Sequence, residues 1–242
     1  MANYILFIFE GERTESLIFN NLKKFYLTES ENTIVIGVYG SSIYSLYQKK
    51  DKDPDLDVFS LIKEKPENEQ KLRNINRNNV SEIYLFFDYD GHDTQATDTK
   101  IVEMLTLFDE ETEDGKLYLS YPMVESLKHL KSGIPFKDVV VQSSTNYKKY
   151  VSENCDACFI DFTKLTQDNW NNILSEHCKK LNHLVMGDFS LPQEYVAQTT
   201  IFNNQKEKHI DPSKKVAVLS SFPIFIMDYY GCSKLPELIT KA

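Results

Sequence analysis

The chain has 242 residues and a formal net charge of −9, with 41% apolar and 12% aromatic residues. This composition excludes a globally disordered chain, and no apolar run approaches the roughly 18 residues of a membrane-spanning helix. The acidic balance argues against a protein that coats nucleic acid by bulk attraction, but not against a nuclease, because bound cations can offset carboxylates locally.

Short apolar runs alternate with amphipathic segments in the first half of the chain. The first run follows Met1-Ala2-Asn3 directly, without a basic leader, which predicts a cytoplasmic protein. Runs that are apolar on consecutive positions predict strands with both faces covered. We predict strands at 4–9, 33–39, 82–88 and 116–120, and helices at 14–27, 43–49, 57–65, 97–108 and from 121–127 onward. This alternation predicts an α/β fold with a Rossmann-like parallel sheet flanked by helices.

Local signals refine these elements. Thr14 is available as the N-cap of the first helix, and Pro122 suits the first turn of the helix that follows the fourth strand. The polar stretch 66–80 is expected at the surface.

Beyond residue 130 the alternation gives way to mainly helical patterns. We predict helices at 168–181, 192–204 and 222–230, and a late strand at 215–220. The predicted organisation is a domain at 1–130, with a mainly helical C-terminal extension at 131–242 packed on it.

Acidic residues follow two of the predicted buried strands. Glu10 comes directly after the first strand, and Asp88 and Asp90 close the strand at 82–88, two positions apart and therefore on one face. Neighbouring parallel strands open into the same crevice at their carboxyl ends, so these side chains are expected close together. Like charges held that close are costly unless a cation neutralises them. Mg²⁺ or Mn²⁺ with oxygen ligands fits best, and the three carboxylates become catalytic candidates.

Glu15 is a further candidate metal ligand, because it lies in the first turn of the helix after Glu10. The alternative is that Glu15 only stabilises the N-terminus of that helix.

These motifs resemble those of the Toprim domain, which topoisomerases, bacterial primases, OLD-family nucleases and RloB-like proteins share. In that family a hydrophobic strand ends in a catalytic Glu followed by Gly, and a later strand ends in Asp-x-Asp. The counterparts here are Glu10-Gly11 and Asp88-Tyr89-Asp90.

Two details bring the resemblance closer to the RloB-like and OLD-type members. These carry a second Glu just inside the helix, as Glu15 is here. They also carry a Pro-x-x-Glu element after the Asp-x-Asp strand, which Pro122 and Glu125 match. Glu125 is therefore a candidate metal ligand by resemblance, or a residue that favours a helix N-terminus. The resemblance covers about residues 4–127 and extends loosely to abortive-infection proteins of the AbiL kind.

The resemblance implies a Toprim-like fold and an Mg²⁺-dependent endonuclease for DNA or RNA, transfer RNA included, as the toxic effector of a phage-defence system. It also implies an ABC-type, OLD-like ATPase as protein partner and leaves homo-oligomerisation open. The chain has no tyrosine-bearing winged-helix pattern, no zinc-ribbon primase module and no Walker A loop. Topoisomerase, primase and self-contained ATPase functions therefore lose support.

Two other functions remain open. One is a Toprim-like binding or regulatory module that does not cleave, held silent by an ATPase partner or sensing a nucleotide. The other is a metal-dependent phosphotransfer enzyme that uses Asp88 as its nucleophile, which would tolerate loss of Glu10 better than a nuclease would.

The cysteines leave a minor alternative. Cys155 and Cys158 form a C-x-x-C pair, with Cys178 and His183 downstream, and such a set could bind zinc. The more common arrangement in a reduced protein is that Cys158 is a small core residue and Cys155 is half-exposed.

Overall fold

The computed structural model describes residues 3–27, 29–30, 33–40, 42–89, 97–142 and 146–240. The chain divides into two compact units. Unit 1 comprises the described residues of Met1–Phe87 and Gln95–Leu117, and unit 2 comprises those of Asp88–Thr94 and Tyr118–Ala242. This division at residues 117 and 118 lies earlier in the chain than the predicted boundary after residue 130.

The fold is α/β with a mostly parallel sheet flanked by helices, as the alternating pattern predicted. The strands are β1 (Asn3–Phe9), β2 (Thr33–Tyr39), β3 (Val80–Asp88), β4 (Asp109–Glu110) and β5 (Gly115–Ser120). Within the described residues their order is β2-β1-β3-β5-β4. β1 pairs in parallel with β2 on one side and with β3 on the other, whereas β4 is antiparallel to β5.

The inner strands are buried on consecutive positions. The last five residues of β1 and five residues of β3, 83–87, are all buried. Consecutive burial means that both faces of a strand are covered. Part of the cover over β1 is aromatic, because the ring of Phe19 lies 4.9 Å from that of Phe7 and 5.3 Å from that of Phe9.

The helices of unit 1 lie close to the predicted positions. They are α1 (Thr14–Tyr26), α2 (Ile43–Lys52), α3 (Val58–Lys63), α4 (Glu69–Leu72) and α5 (Asp98–Leu107). The prediction that Thr14 caps α1 is wrong: Thr14 is the first helical residue, and Arg13 occupies the N-cap position without a side-chain cap. Asp57 and Thr97 do cap α3 and α5 through side-chain oxygens.

The polar stretch 66–80 is not confined to the surface, because Asn68 within it is only 1% exposed. Its carboxamide accepts the Tyr39 N–H at 2.9 Å and donates to the Tyr39 carbonyl at 2.7 Å. It also donates to the Ile62 carbonyl at 2.9 Å. Asn68 thereby satisfies both main-chain groups of the last residue of β2, which would be costly to bury without partners.

β2 is an edge strand, and lysines cover carbonyl groups along it. Lys71 Nζ donates to the Gly37 carbonyl at 2.8 Å, and Lys23 Nζ donates to the Val35 carbonyl at 3.2 Å. A strand edge that neighbouring side chains cover in this way is less open to pairing with a further strand.

Unit 2 combines helices with a small sheet. The helices are α6 (Tyr147–Glu153), α7 (Gln167–Met186), α8 (Gln198–Gln205), α9 (Asp211–Ser213), α10 (Ser221–Tyr230) and α11 (Leu235–Leu238), and a π-helix covers Lys206–Ile210. β6 (Val140–Gln142) pairs antiparallel with β7 (Lys215–Ala217). None of the helices in the described part of the chain has the length and hydropathy that a membrane crossing needs.

Local signals delimit α7, the longest described helix of unit 2. It begins at a capping box formed by Thr166 and Asn169 and ends at Gly187, whose φ of 81° is left-handed. A side chain rarely adopts that conformation, so glycine is the natural residue there.

Several predicted elements in this half differ from the structure. The segment after Pro122 forms only a short 3₁₀ helix, Val124–Lys128, so Pro122 is not in its first turn. The helix predicted at 192–204 begins only at Gln198, and the strand predicted at 215–220 ends at Ala217. β6 was not predicted.

A buried carboxamide also closes the end of β7. Gln205 is fully buried, accepts the Ala217 N–H at 2.9 Å and donates to the Ala217 carbonyl at 2.7 Å. The last residue of β7 is thus satisfied in the same way as the last residue of β2.

We expect Asn68→Ala to lower the free energy of unfolding by about 2–3 kcal/mol, because it leaves buried main-chain groups without partners. Urea denaturation followed by circular dichroism measures the change. Asn74→Ala, in the same segment but exposed, is the matched control and should stay within about 0.5 kcal/mol of the wild type. Equal stability of the two variants would contradict the assigned role of Asn68.

Candidate functional site

Glu10 lies at the carboxyl edge of the sheet, directly after β1. Its N–H donates to the Phe86 carbonyl of β3 at 3.3 Å, while the carbonyl of Phe9 accepts the Gly40 N–H at 2.7 Å. Main-chain bonds to both sides therefore hold the point at which the chain leaves the sheet. The side chain of Glu10 is partly exposed.

Asp88 is the last residue of β3 and is partly exposed, whereas the following Tyr89 is buried. The Tyr89 N–H donates to the Ser120 carbonyl at 2.9 Å. The third predicted carboxylate, Asp90, lies outside the described residues. The structure thus places Glu10 after β1 and Asp88 at the end of β3, the strand with which β1 pairs in parallel.

Glu15 is buried in the first turn of α1 and turns back toward the loop after Glu10. Its Oε1 accepts the Gly11 N–H at 2.9 Å. The two chain segments touch so closely that a Cβ on Gly11 would lie 2.6 Å from Glu15 Oε2. Glu15 therefore shapes the β1–α1 turn through a residue that precedes α1.

Glu125 lies in unit 2 and is 3% exposed, on the short 3₁₀ helix Val124–Lys128. Its carboxylate pairs with Lys148 Nζ at 3.0 Å. A buried carboxylate needs such a partner, because desolvation without one is costly. The ion pair with Lys148 therefore compensates the buried charge of Glu125.

A cavity of about 370 Å³ lies in unit 1 beside the β1–α1 turn. Gly11, Glu12 and Ser16 line it from one side, and Glu67 and Lys71 from the other. Its size is that of a small-ligand site. Both carboxylates and the ammonium group offer polar contacts to a ligand that reaches the sheet edge.

Across the described ranges, 3–89 and 97–240 with their short gaps, no group of three or more His, Cys, Asp and Glu residues is arranged to hold a metal. The described residues include four of the predicted ligands, Glu10, Glu15, Asp88 and Glu125, whereas Asp90 lies outside them.

The cysteines do not assemble the zinc site that their spacing left open, since no such group includes them. Cys178 is buried and inert in character, because burial raises the pKa of its thiol. Cys155 is half-exposed as predicted, but Cys158 is exposed and not a core residue.

Sequence reasoning missed buried basic side chains in unit 2. His129 and His177 are 5% and 0% exposed, and burial lowers the pKa of His129 to about 4 and of His177 to about 3. Lys180 is 1% exposed, and burial also lowers its pKa well below the usual range. The spacing of His177 and Lys180 along the apolar stripe of α7, between Trp170 and Leu184, could have revealed them.

No protein-family model, no curated protein and no solved structure matches this chain. The resemblance to Toprim proteins therefore rests on the motifs alone.

We expect Gly11→Ala to lower the free energy of unfolding by about 1 kcal/mol, because the new methyl group displaces the Glu15 carboxylate from its hydrogen bond. In a Glu15→Ala background the same change should cost less, since the obstructing carboxylate is gone. A double-mutant cycle by urea denaturation measures this coupling. Additive effects of the two substitutions would show that the contact does not shape the turn.

Proposed function

We propose that the protein is a metal-dependent endonuclease that hydrolyses phosphodiester bonds of DNA or RNA, with Glu10, Asp88 and Asp90 as metal ligands. One observation carries the proposal: β1 and β3 are adjacent and parallel, and their carboxyl ends are followed or closed by Glu10 and Asp88. Carboxylates from adjacent strand ends are the ligand set that Mg²⁺ and Mn²⁺ prefer.

The chemistry requires both charge neutralisation and positioning. When bound, Mg²⁺ or Mn²⁺ would neutralise charge on the scissile phosphate and activate water. Glu10 and Asp88 would bind the ion from main-chain positions that the sheet holds rigidly. Glu15 would act as a positioning residue, because its bond to Gly11 shapes the turn that follows Glu10.

The neighbouring cavity supports a ligand-binding role for this edge. It is lined by Gly11 and Glu12, the residues directly after Glu10. The ammonium group of Lys71 on its wall already donates to the Gly37 carbonyl and retains further N–H donors for a phosphate oxygen.

The Toprim-like motifs favour a further assignment. We propose that the chain is the toxic effector of a phage-defence system and acts with an ABC-type ATPase partner that controls it. Transfer RNA belongs to the candidate substrates beside phage and host DNA.

The decisive experiment compares carboxylate variants of the purified chain. We expect Glu10→Gln and Asp88→Asn to lower Mg²⁺- or Mn²⁺-dependent cleavage at least about 100-fold, because each removes a charge from the metal site. Plasmid DNA, single-stranded DNA and transfer RNA are the substrates, and EDTA should abolish cleavage. Glu69→Gln, an exposed residue of α4, is the control and should cleave like the wild type.

Binding of Mn²⁺, measured by calorimetry, gives a readout that does not need a competent substrate. Loss of Mn²⁺ binding in Asp88→Asn, with no cleavage by the wild type, would favour the non-cleaving regulatory module. Retained activity in Glu10→Gln together with a phosphate analogue trapped on Asp88 would favour the phosphotransfer enzyme. Equal cleavage by the wild type and both variants would refute the proposed site.

A cell assay tests the effector role. The wild type, Glu10→Gln and Glu69→Gln are each expressed in cells together with a candidate ABC-type ATPase partner. We expect growth arrest with the wild type and Glu69→Gln but not with Glu10→Gln. Equal toxicity of all three would contradict a carboxylate-dependent effector.

A further inference from the structure

Unit 2 contains a small cavity of about 180 Å³ whose ionisable lining is entirely basic. We call it the basic pocket. Its ionisable residues are Lys137, Lys180, His183, Lys208 and His209. The chain as a whole is acidic, with a net charge of −9. The five basic groups around this cavity therefore contrast with the overall charge of the protein.

Three elements build the basic pocket. Lys180 and His183 come from the second half of α7, and Lys208 and His209 come from the π-helix Lys206–Ile210. Lys137 comes from the 3₁₀ helix Phe136–Asp138. Single turns of π-helix are rare and occur often at functional sites. Here the π-helix supplies two of the five basic groups.

Main-chain hydrogen bonds orient the lysines and leave donors available. Lys180 Nζ donates to the Val139 carbonyl, and Lys208 Nζ donates to the Leu184 carbonyl in the last turn of α7. Each ammonium group has three N–H donors. Lys208 Nζ also lies 3.5 Å from the Val185 carbonyl. Each of the two lysines therefore retains at least one N–H donor for a ligand.

His183 has a defined tautomer in its neutral form. Its Nδ1 lies 3.2 Å from the Gly187 carbonyl, which can only accept, so Nδ1 carries the proton. Nε2 then becomes a donor only when the ring is protonated.

The five basic side chains form no ion pair with the described residues of the protein, and Asp138 is the carboxylate that acts on Lys180 electrostatically. Within the part of the chain that the structure describes, no carboxylate lies within ion-pair distance of any of the five side chains. Burial, and then the charges of Lys180, Lys208 and His183, lowers the pKa of His209. An anion in the pocket would favour the charged forms of these lysines and histidines.

We propose that the basic pocket binds a phosphate-type anion, either free inorganic phosphate or the terminal phosphate of a small phosphorylated molecule. The volume decides the size of the ligand: about 180 Å³ is below the roughly 300–1,000 Å³ of sites for drug-sized molecules. Lysine and protonated histidine supply the charge-assisted hydrogen bonds that phosphate oxygens accept. The basic pocket shares no residue with the proposed nuclease centre of Glu10, Asp88 and Asp90.

Calorimetric titration of the full chain with inorganic phosphate tests the proposal. We expect saturable binding that Lys208→Gln and His209→Gln each weaken about 10-fold, because each removes a charge-assisted hydrogen bond. Lys208 is exposed and His209 partly exposed, so both variants should fold, which circular dichroism verifies. Lys179→Gln removes a charge from the same helix as Lys180 but does not line the cavity, and it should bind like the wild type.

A second calorimetric titration, with adenosine monophosphate, distinguishes free phosphate from the terminal phosphate of a small molecule. Tighter binding of the nucleotide than of inorganic phosphate, with the same loss in Lys208→Gln, identifies the terminal phosphate of a small molecule. Tighter binding of inorganic phosphate identifies the free anion.

Histidine resonances give a second readout. Sulfate keeps a constant charge near neutral pH, so its effect on ring titration reports on the protein alone. We expect saturating sulfate to raise the pKa of His209, which faces Lys180, Lys208 and His183, with Lys137 and Asp138 on the adjoining 3₁₀ helix. The ring signals of the protein's five histidines can be followed individually by NMR.

Two results would overturn the proposal. One is the absence of saturable binding of phosphate, sulfate and adenosine monophosphate up to about 10 mM, a range that includes weak small-ligand sites. The other is equal binding by the wild type, Lys208→Gln, His209→Gln and Lys179→Gln, which would show attraction by general charge and not by the pocket.

Discussion

The parallel pairing of β1 with β2 and β3 is the constraint on which the candidate site depends. β1 is apolar on consecutive positions, so it can be buried only if both of its edges are paired and both of its faces are covered. Phe7 and Phe9 meet this demand by packing against Phe19 of α1 and Phe86 of β3. Once these contacts form, the chain can emerge from the sheet only at Glu10.

Buried strand ends pose a second problem. The N–H and C=O groups of the last strand residue are removed from water and need hydrogen-bond partners that the sheet does not provide. Both units solve it with a carboxamide. Asn68 binds both main-chain groups of Tyr39 at the end of β2, and Gln205 does the same for Ala217 at the end of β7. An amide side chain suits this role because it offers one acceptor and two donors without charge.

The two units treat charge differently. In unit 1, acidic side chains stand at the sheet edge, where Glu15 is held by a main-chain N–H. In unit 2, Lys180 is buried and basic residues surround a cavity, and burial keeps the pKa of the neighbouring His177 low. A chain with a single overall charge can thus place acidic side chains in one region and basic side chains in another. The net charge of the chain does not indicate either region, because it sums over the whole protein.

The sequence determined the elements whose signals are local. Consecutive apolar residues identified β1, β2 and β3, and helical spacing identified α1 and α10 within one or two residues, because a strand or helix with strong periodicity buries the same face in most contexts. Glu10 and Asp88 could also be placed from the sequence, because each stands directly at the end of an apolar run that predicts a strand.

Only the tertiary structure decided features that depend on partners distant in sequence. β6 has three residues and exists because β7, more than seventy positions later, pairs with it. The burial of Asn68 in a polar stretch, the ion pair of Glu125 with Lys148, and the gathering of five basic side chains around one cavity likewise require long-range contacts. A polar residue within a polar stretch, such as Asn68, shows no local sign of its burial, because the fold supplies the groups that it satisfies.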